Sequence, residues 1–200
     1  MAKKKVFLHI GAAVPGVSET HTALRDSAAT AEAGLAVPKL DQADLDRADI
    51  EIRRRHKAEG LKRKDVEGAW AEVCRKAFKA ARKGHDVVIS QPGFVEADYQ
   101  QVALALDGLV GLQLHLVVTP PDGVHADQVP TLVGHWAKFV KKDARIHVLS
   151  LDAAAGPEDF THAIARLALE HEKHQLDDKL ARIKKQRRGL KERLGRIDAA

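Results

Sequence analysis

Val6-Phe7-Leu8-His9-Ile10-Gly11-Ala12-Ala13-Val14-Pro15-Gly16-Val17-Ser18 is the stretch on which the fold turns. Val6 to Ile10 is a short apolar run of strand composition, and Gly11 ends it. A Gly-x4-Gly turn follows, and Ser18–Ala33 is an Ala-rich helical segment with Gly34 as its C-cap. This order puts a glycine turn at the carboxyl end of a strand, where doubly wound α/β sheets bind their ligands. The backbone N–H groups of such a turn, with the helix start behind it, can hold a phosphate or sulfate. A phosphate-transfer loop adds a Lys and a Ser/Thr. Here the spacing survives without the Lys, and by itself it reads first as an ordinary tight strand–helix turn.

Working outward, three more runs read as strands: Asp86–Ser90 before Pro92-Gly93, Leu112–Thr119 before Pro120-Pro121, and Arg145–Leu151 before Asp152. Nearly continuous apolar runs suit strands covered on both faces. Helical patterns fill the gaps. Asp65–Lys83 puts Val66, Trp70, Val73, Ala77 and Ala81 on one stripe and stops at Gly84, while Asp98–Val110 and Val129–Val140 offer shorter apolar faces. Residues 38–64, acidic and then basic, read as an exposed helical insertion or a mobile loop. Strand alternating with helix predicts an α/β sandwich on a parallel sheet with right-handed crossovers, over residues 1–152.

Residues 153–200 form the second unit, a long helix beginning near Pro157. Leu176, Leu180, Ile183, Leu190, Leu194 and Ile197 are spaced 4, 3, 7, 4 and 3, a heptad seam in which Arg187 takes one apolar position. The alternatives are a coiled coil and a helix folded back on the body. Gly189 and Gly195 weaken the coiled-coil reading.

Charge separates the two units. The 200-residue chain carries +5, residues 179–196 carry +8 and residues 197–200 carry −1, so residues 1–178 carry −2. Such asymmetry points to an interaction tail more readily than to a property of the fold, beside the plain reading of a solvated helix face. Its cations include Lys184, Lys185, Arg187, Arg188, Lys191 and Arg193, enough for non-specific phosphate contacts, with no base-reading motif beside them. No apolar run approaches the roughly 18–20 residues of a membrane span. The five-residue apolar stretch after Lys3-Lys4-Lys5 is too short for a signal peptide, and the lone Cys74 excludes a disulfide framework. The chain is expected to be cytoplasmic.

The quoted stretch resembles the bacterial sulfotransferase-like signature, in one-letter terms LHIG-x-PK-x-GTT, through Leu8-His9-Ile10-Gly11 and Gly16-Val17-Ser18. Ala31-Glu32-Ala33-Gly34-Leu35-Ala36-Val37-Pro38 is similar to the family's A-x-AG-x-x-x-P, and Leu114–Asp122 to its hVVVTARD. The likeness spans roughly residues 4–152. It implies a P-loop NTPase-like three-layer fold. In active members it implies transfer of sulfate from the donor PAPS to a hydroxyl or amine. A Lys in the first loop holds the donor's phosphosulfate there, and Arg and Ser after a later strand hold its 3′-phosphate.

Carried over residue by residue, the donor site would comprise Gly11, Gly16, Val17, Ser18 and Thr131. Val14 stands at the position of the loop Lys, Val17 at that of the first Thr, and Pro121 at that of the Arg before Asp122. Sulfuryl transfer depends on electrostatic stabilisation, and losing one positioned donor costs about 10²–10³ in rate. Two missing cations point to a pseudoenzyme that needs no cofactor. The expectation is a non-catalytic binding or assembly module, joined by its tail to a second copy, a protein partner or a polyanion. The alternatives are a PAPS-dependent sulfotransferase, with His21 as base and adenosine 3′,5′-bisphosphate as product, and a non-specific nucleic-acid-associated protein.

Other residue types carry less. His171 and His174 are spaced i,i+3 with no third ligand in view, so no metal site is expected. His9 and the other strand histidines read as satisfied interior groups, His9 bracing the loop. His21 reads as a solvent-facing helical residue if it is not a base. Trp70, Trp136 and Cys74 read as core.

Overall fold

The computed structural model describes residues 3–12, 20–121, 124–125, 127–140, 145–150 and 156–198. Strands β1 (Lys5–Gly11), β2 (Leu35–Ala36), β3 (Asp86–Ser90), β4 (Gln113–Thr119) and β5 (Ile146–Val148) form one all-parallel sheet. Its order is β2-β3-β1-β4-β5. β1 lies at the centre and all seven of its residues are buried, as its nearly continuous apolar run requires. In register, His9 stands beside Ser90 of β3 and Val117 of β4, and Gly11 beside Thr119.

Helices cover both faces. One face carries α1 (Thr20–Asp26), α2 (Ala28–Glu32) and the start of α8 (Pro157–Asp198), packed through Leu24, Phe160, Ile164 and Ala168 against Phe7, Val88 and Val117. The opposite face carries α3 (Gln42–Ile52), α4 (Ala69–Arg82), α5 (Tyr99–Asp107), α6 (Val129–Leu132) and α7 (Gly134–Ala137), packed against Val6, Leu8, Ile10, Ile89 and Leu116. A rightward crossover and a leftward one place their helices on opposite faces of a parallel sheet. The β1-to-β2 connection accordingly covers one face, and the later connections cover the other.

The predicted stripe of α4 is buried throughout: Val66, Trp70, Val73, Ala77 and Ala81 all lie in the core. Phe94 sits between Trp70 and Trp136, at ring centroids 5.1 and 6.3 Å. The indole N–H groups donate to the carbonyls of Ala105 and Phe94, both at 3.0 Å, so the two tryptophans are packing anchors. Cys74 is buried, and burial pushes its thiol up to about 12.

Residues 38–64 depart from their predicted exposure. α3 inserts Leu45, Ala48 and Ile52 into the core, and Leu40 joins them. The Asp41 side chain caps the helix by accepting from the Asp44 N–H at 2.7 Å. Only the segment after Ile52 stands mostly outside. The Ala-rich first helix is also two pieces, because Ser27 caps α2.

α8 is 42 residues long. Phe160 packs on the His9 ring at 4.7 Å, near the carboxyl end of β1, and His171 reaches His115 at 4.4 Å, near the start of β4. The helix therefore runs antiparallel to the strands and leaves the body at the sheet's amino edge. From Glu172 to Ile197 it is almost wholly exposed, an overhang of about 39 Å at 1.5 Å per residue. Among the described residues no helix is long and apolar enough to cross a membrane.

Candidate functional site

The carboxyl edge of the sheet is organised by β1. At Gly11 the backbone turns with φ of +118°, and a Cβ there would lie 2.0 Å from the Thr119 carbonyl oxygen. The same oxygen accepts the Ala12 N–H at 2.7 Å. Gly11 is thus required for the close approach of the β1 and β4 ends, whatever the following turn holds.

His9 ties three strands together from inside the sheet. Its Nδ1 lies 2.9 Å from Ser90 Oγ and its Nε2 lies 2.8 Å from Thr119 Oγ1. Full burial pushes the imidazole down to about 3, so the ring is neutral and carries one N–H. The Thr119 hydroxyl donates to the Ala12 carbonyl at 2.9 Å and must therefore accept from His9. The order of donation is fixed: Ser90 O–H to Nδ1, Nε2–H to Thr119, and Thr119 O–H to Ala12. This chain braces the loop's first residue, as expected of His9, and a base this weakened does not activate Ser90 as a nucleophile.

Beside the brace lies a cavity of about 450 Å³, bounded by α1, α3 and the chain after β3, with Ser90 and Gln91 in its wall. Gln91 is fixed by its N–H to the His9 carbonyl at 2.9 Å and by its side-chain amide to the Leu45 carbonyl at 2.9 Å. His21 also faces this cavity, and it is 2% exposed rather than solvent-facing. Its Nε2–H donates to the Pro38 carbonyl at 2.8 Å. Burial holds its pKa below the ordinary value, opposed by that hydrogen bond and assisted by nearby Arg25. His21 therefore presents a neutral Nδ1 lone pair.

The structure separates the remaining sequence candidates. Gly16, Val17 and Ser18, with the Lys position Val14, lie outside the described residues. Thr131 is exposed on the four-residue α6 and does not line the cavity. Lys184, Lys185, Arg187, Arg188, Lys191 and Arg193 are all exposed on the α8 overhang, beyond the opposite edge of the sheet. Asp46 and Asp49 from α3, and Glu59 after it, are among the cavity residues that sequence reasoning missed.

A second polar cluster docks α8. His115 Nδ1 and His147 Nε2 are 3.0 Å apart, Gln113 Nε2 is 2.9 Å from His115 Nε2, and the His171 ring meets His115 edge-on. Burial, with His171 and His147 alongside, pushes His115 down to about 3. His147 and His171 are lowered too, mainly by burial. Among the described residues, no group of three or more His, Cys, Asp and Glu side chains is placed to hold a metal ion.

The seam on α8 is open to solvent. Leu176, Leu180, Ile183, Leu190, Leu194 and Ile197 are 49–71% exposed, and Leu169, 47% exposed, extends the heptad one repeat toward the body. No protein-family model matches this chain, and no match is found among curated proteins or solved structures.

Proposed function

We propose that this protein is a non-catalytic assembly module on a sulfotransferase-like, P-loop NTPase-like scaffold, joined to a second copy through α8. The central β1 with its glycine turn at the carboxyl edge supports the scaffold reading. Val14 and Pro121, at the two cation positions of the resembling family, support loss of catalysis. The observation that carries the proposal is the exposed apolar seam from Leu169 to Ile197 on a helix that has left the body.

Roughly half of each seam side chain is already covered within its own helix. Pairing two copies therefore gains about 1 kcal/mol per residue, or on the order of 14 kcal/mol gross over the seven seam residues of each copy. Association costs about 4–15 kcal/mol, so the complex is expected to be concentration-dependent. Polarity follows from charge. Residues 165–178 carry −2 and residues 179–196 carry +8, so parallel alignment would set the two +8 segments side by side. Antiparallel pairing over the seam sets residues 188–196 of each copy against the acidic residues 170–178 of the other and leaves only residues 179–187 facing like charge. The exposed cations of the same overhang support a second reading, non-specific polyanion contact.

Light scattering of the full chain across a range of concentrations tests the assembly. The wild type should shift from monomer to dimer, and the charge-neutral double variant Leu180→Gln/Ile183→Gln should stay monomeric. Equal masses for both proteins at every concentration would refute it.

A further inference from the structure

The charges that flank the α8 seam follow an order that fits one pairing of two copies. With Leu176 and Ile183 at heptad position d and Leu180 at a, the e positions hold Glu170, Asp177, Lys184 and Lys191. The g positions hold Glu172, Lys179, Gln186 and Arg193. All eight are exposed, and each flank is acidic nearer the body and basic farther out. We infer that these flanks select a second copy of this chain, antiparallel and in a single register. Glu170 meets the partner's Lys191, Asp177 the partner's Lys184, and Glu172 the partner's Arg193. The register rests on the assembly reading, since a chain that stays monomeric has none.

The seam lies on a face of α8 that a second helix can reach. Ile164, Ala168 and His171 face the sheet. At 3.6 residues per turn, the exposed Leu169 and Lys173 fall on the far side of the helix. Glu170 already accepts Arg166 at 2.7 Å within α8, but both side chains are well exposed, and the carboxylate has lone pairs left for a second cation.

Reversing one helix packs each a residue on a d residue and keeps e beside e and g beside g. Interlocking Leu180 with the partner's Ile183 slides the copies by just under one turn from the end-to-end alignment of the seams. Lys184, in the basic middle, then gains the partner's Asp177. Outward layers set Leu176 on the partner's Arg187, whose alkyl stem covers it, and Leu169 on the partner's Leu194. A shift of one heptad toward the C-termini would set Lys184 against the partner's Lys184 and Lys179 against the partner's Arg193. The opposite shift would set Asp177 and Lys179 each against its own counterpart. Parallel pairing would set Glu172 against the partner's Asp177 and Lys179 against the partner's Lys184. Like charges thus reject each alternative. The favoured register puts His171 level with the partner's Glu192, so the two bodies stand at opposite ends of a rod with their exits about 32 Å apart.

Light scattering of the full chain at low ionic strength tests the pairing with two exposed charge reversals, Glu170→Lys/Asp177→Lys and Lys184→Glu/Lys191→Glu. Each variant alone faces like charges along both e flanks, so its self-association should weaken about tenfold or more. An equimolar mixture should return to near the wild-type level, because every e contact between the two variants is again opposite in sign. A urea melt followed by emission of the buried Trp70 and Trp136 establishes that each body is folded. Wild-type association in both variants, or no recovery in the mixture, would overturn the register and leave the assembly standing. Tighter self-association of both variants would mean parallel pairing, which each reversal relieves, and would overturn it as well. A wild type that stays monomeric at every concentration would remove the assembly and the register together.

Discussion

Lowering the pH from 7 to 4.5 should destabilise the body through its buried histidines, and His9 sets the size of the effect. Folded His9 titrates at about 3 against an ordinary 6.5, because burial disfavours the charged ring. A base with a depressed folded pKa contributes full stability above its unfolded value and loses it as pH falls below that value. At pH 4.5 the unfolded chain binds a proton at this residue and the native chain does not. The loss is about 2–3 kcal/mol for His9 alone. His115, also pushed down to about 3, adds a comparable amount, shared with its neighbours His147 and His171. Together these approach about 5 kcal/mol, a large part of a typical domain's stability of roughly 5–15 kcal/mol. Asp49 works in the other direction: burial raises its carboxyl, so protonation on acidification favours the fold.

The assay is urea unfolding followed by tryptophan emission at several pH values. Trp70 and Trp136 are both buried in the body, so the signal is blind to fraying of the overhang. With a urea dependence of about 2 kcal/mol per molar, the midpoint should fall by roughly 2 M between pH 7 and 4.5. The variant His9→Asn, less stable at pH 7, should show a shallower pH dependence by about one histidine's share. A flat wild-type midpoint between pH 7 and 5, or an unchanged slope in His9→Asn, would refute the assignment of His9 as a neutral interior brace.

Two further outcomes are expected. Gly11→Ala brings a Cβ to within 2.0 Å of the Thr119 oxygen at a φ of +118°, and should cost more than about 3 kcal/mol in the same urea assay. A loss under 1 kcal/mol, on the order of an ordinary surface change, would show that the β1 and β4 ends do not approach so closely. Calorimetry with adenosine 3′,5′-bisphosphate should show no saturable binding to the full chain, and tight binding would restore the sulfotransferase reading with PAPS as donor.

The fold was legible where burial writes a long signal. β1, β3 and β4 carry nearly continuous apolar runs, and α4 carries its stripe at helical spacing. β2 has two residues, Leu35 and Ala36, too few for any periodicity, and its pairing with Asp86 and Val87 comes entirely from the sheet. α3 hid behind its acids. Leu45, Ala48 and Ile52 have the right spacing and Asp41 is a sound N-cap, yet Asp44, Asp46, Asp49 and Glu51 made the segment read as solvated. His21 and Asp49 lie 28 positions apart and meet one cavity only because α3 packs near the end of β3. No local pattern announces such a convergence. The seam was visible as spacing from Leu176 onward, but only the point where α8 leaves the body shows that Leu169 belongs to it.

The two ends of the molecule attract opposite ions, and that arrangement constrains what the scaffold can do. A site for an anionic sulfuryl donor needs cations at the carboxyl edge, where the strands deliver their loops. The cavity wall there offers Arg55 alone, already engaged by Glu59, beside two further carboxylates. The cations stand on α8, which begins against His9 at that edge and leaves the body at the other. An approaching polyanion is therefore steered to the overhang and away from the carboxyl edge. Because the seam and the Gly11–Thr119 contact at the carboxyl edge share no residues and no partners, perturbations of the two should add independently. The double variant Leu180→Gln/Ile183→Gln combined with Gly11→Ala should then lose assembly and stability each to the extent of its parent. Any larger combined loss would mean that α8 transmits through its Phe160–His9 contact what happens at the carboxyl edge.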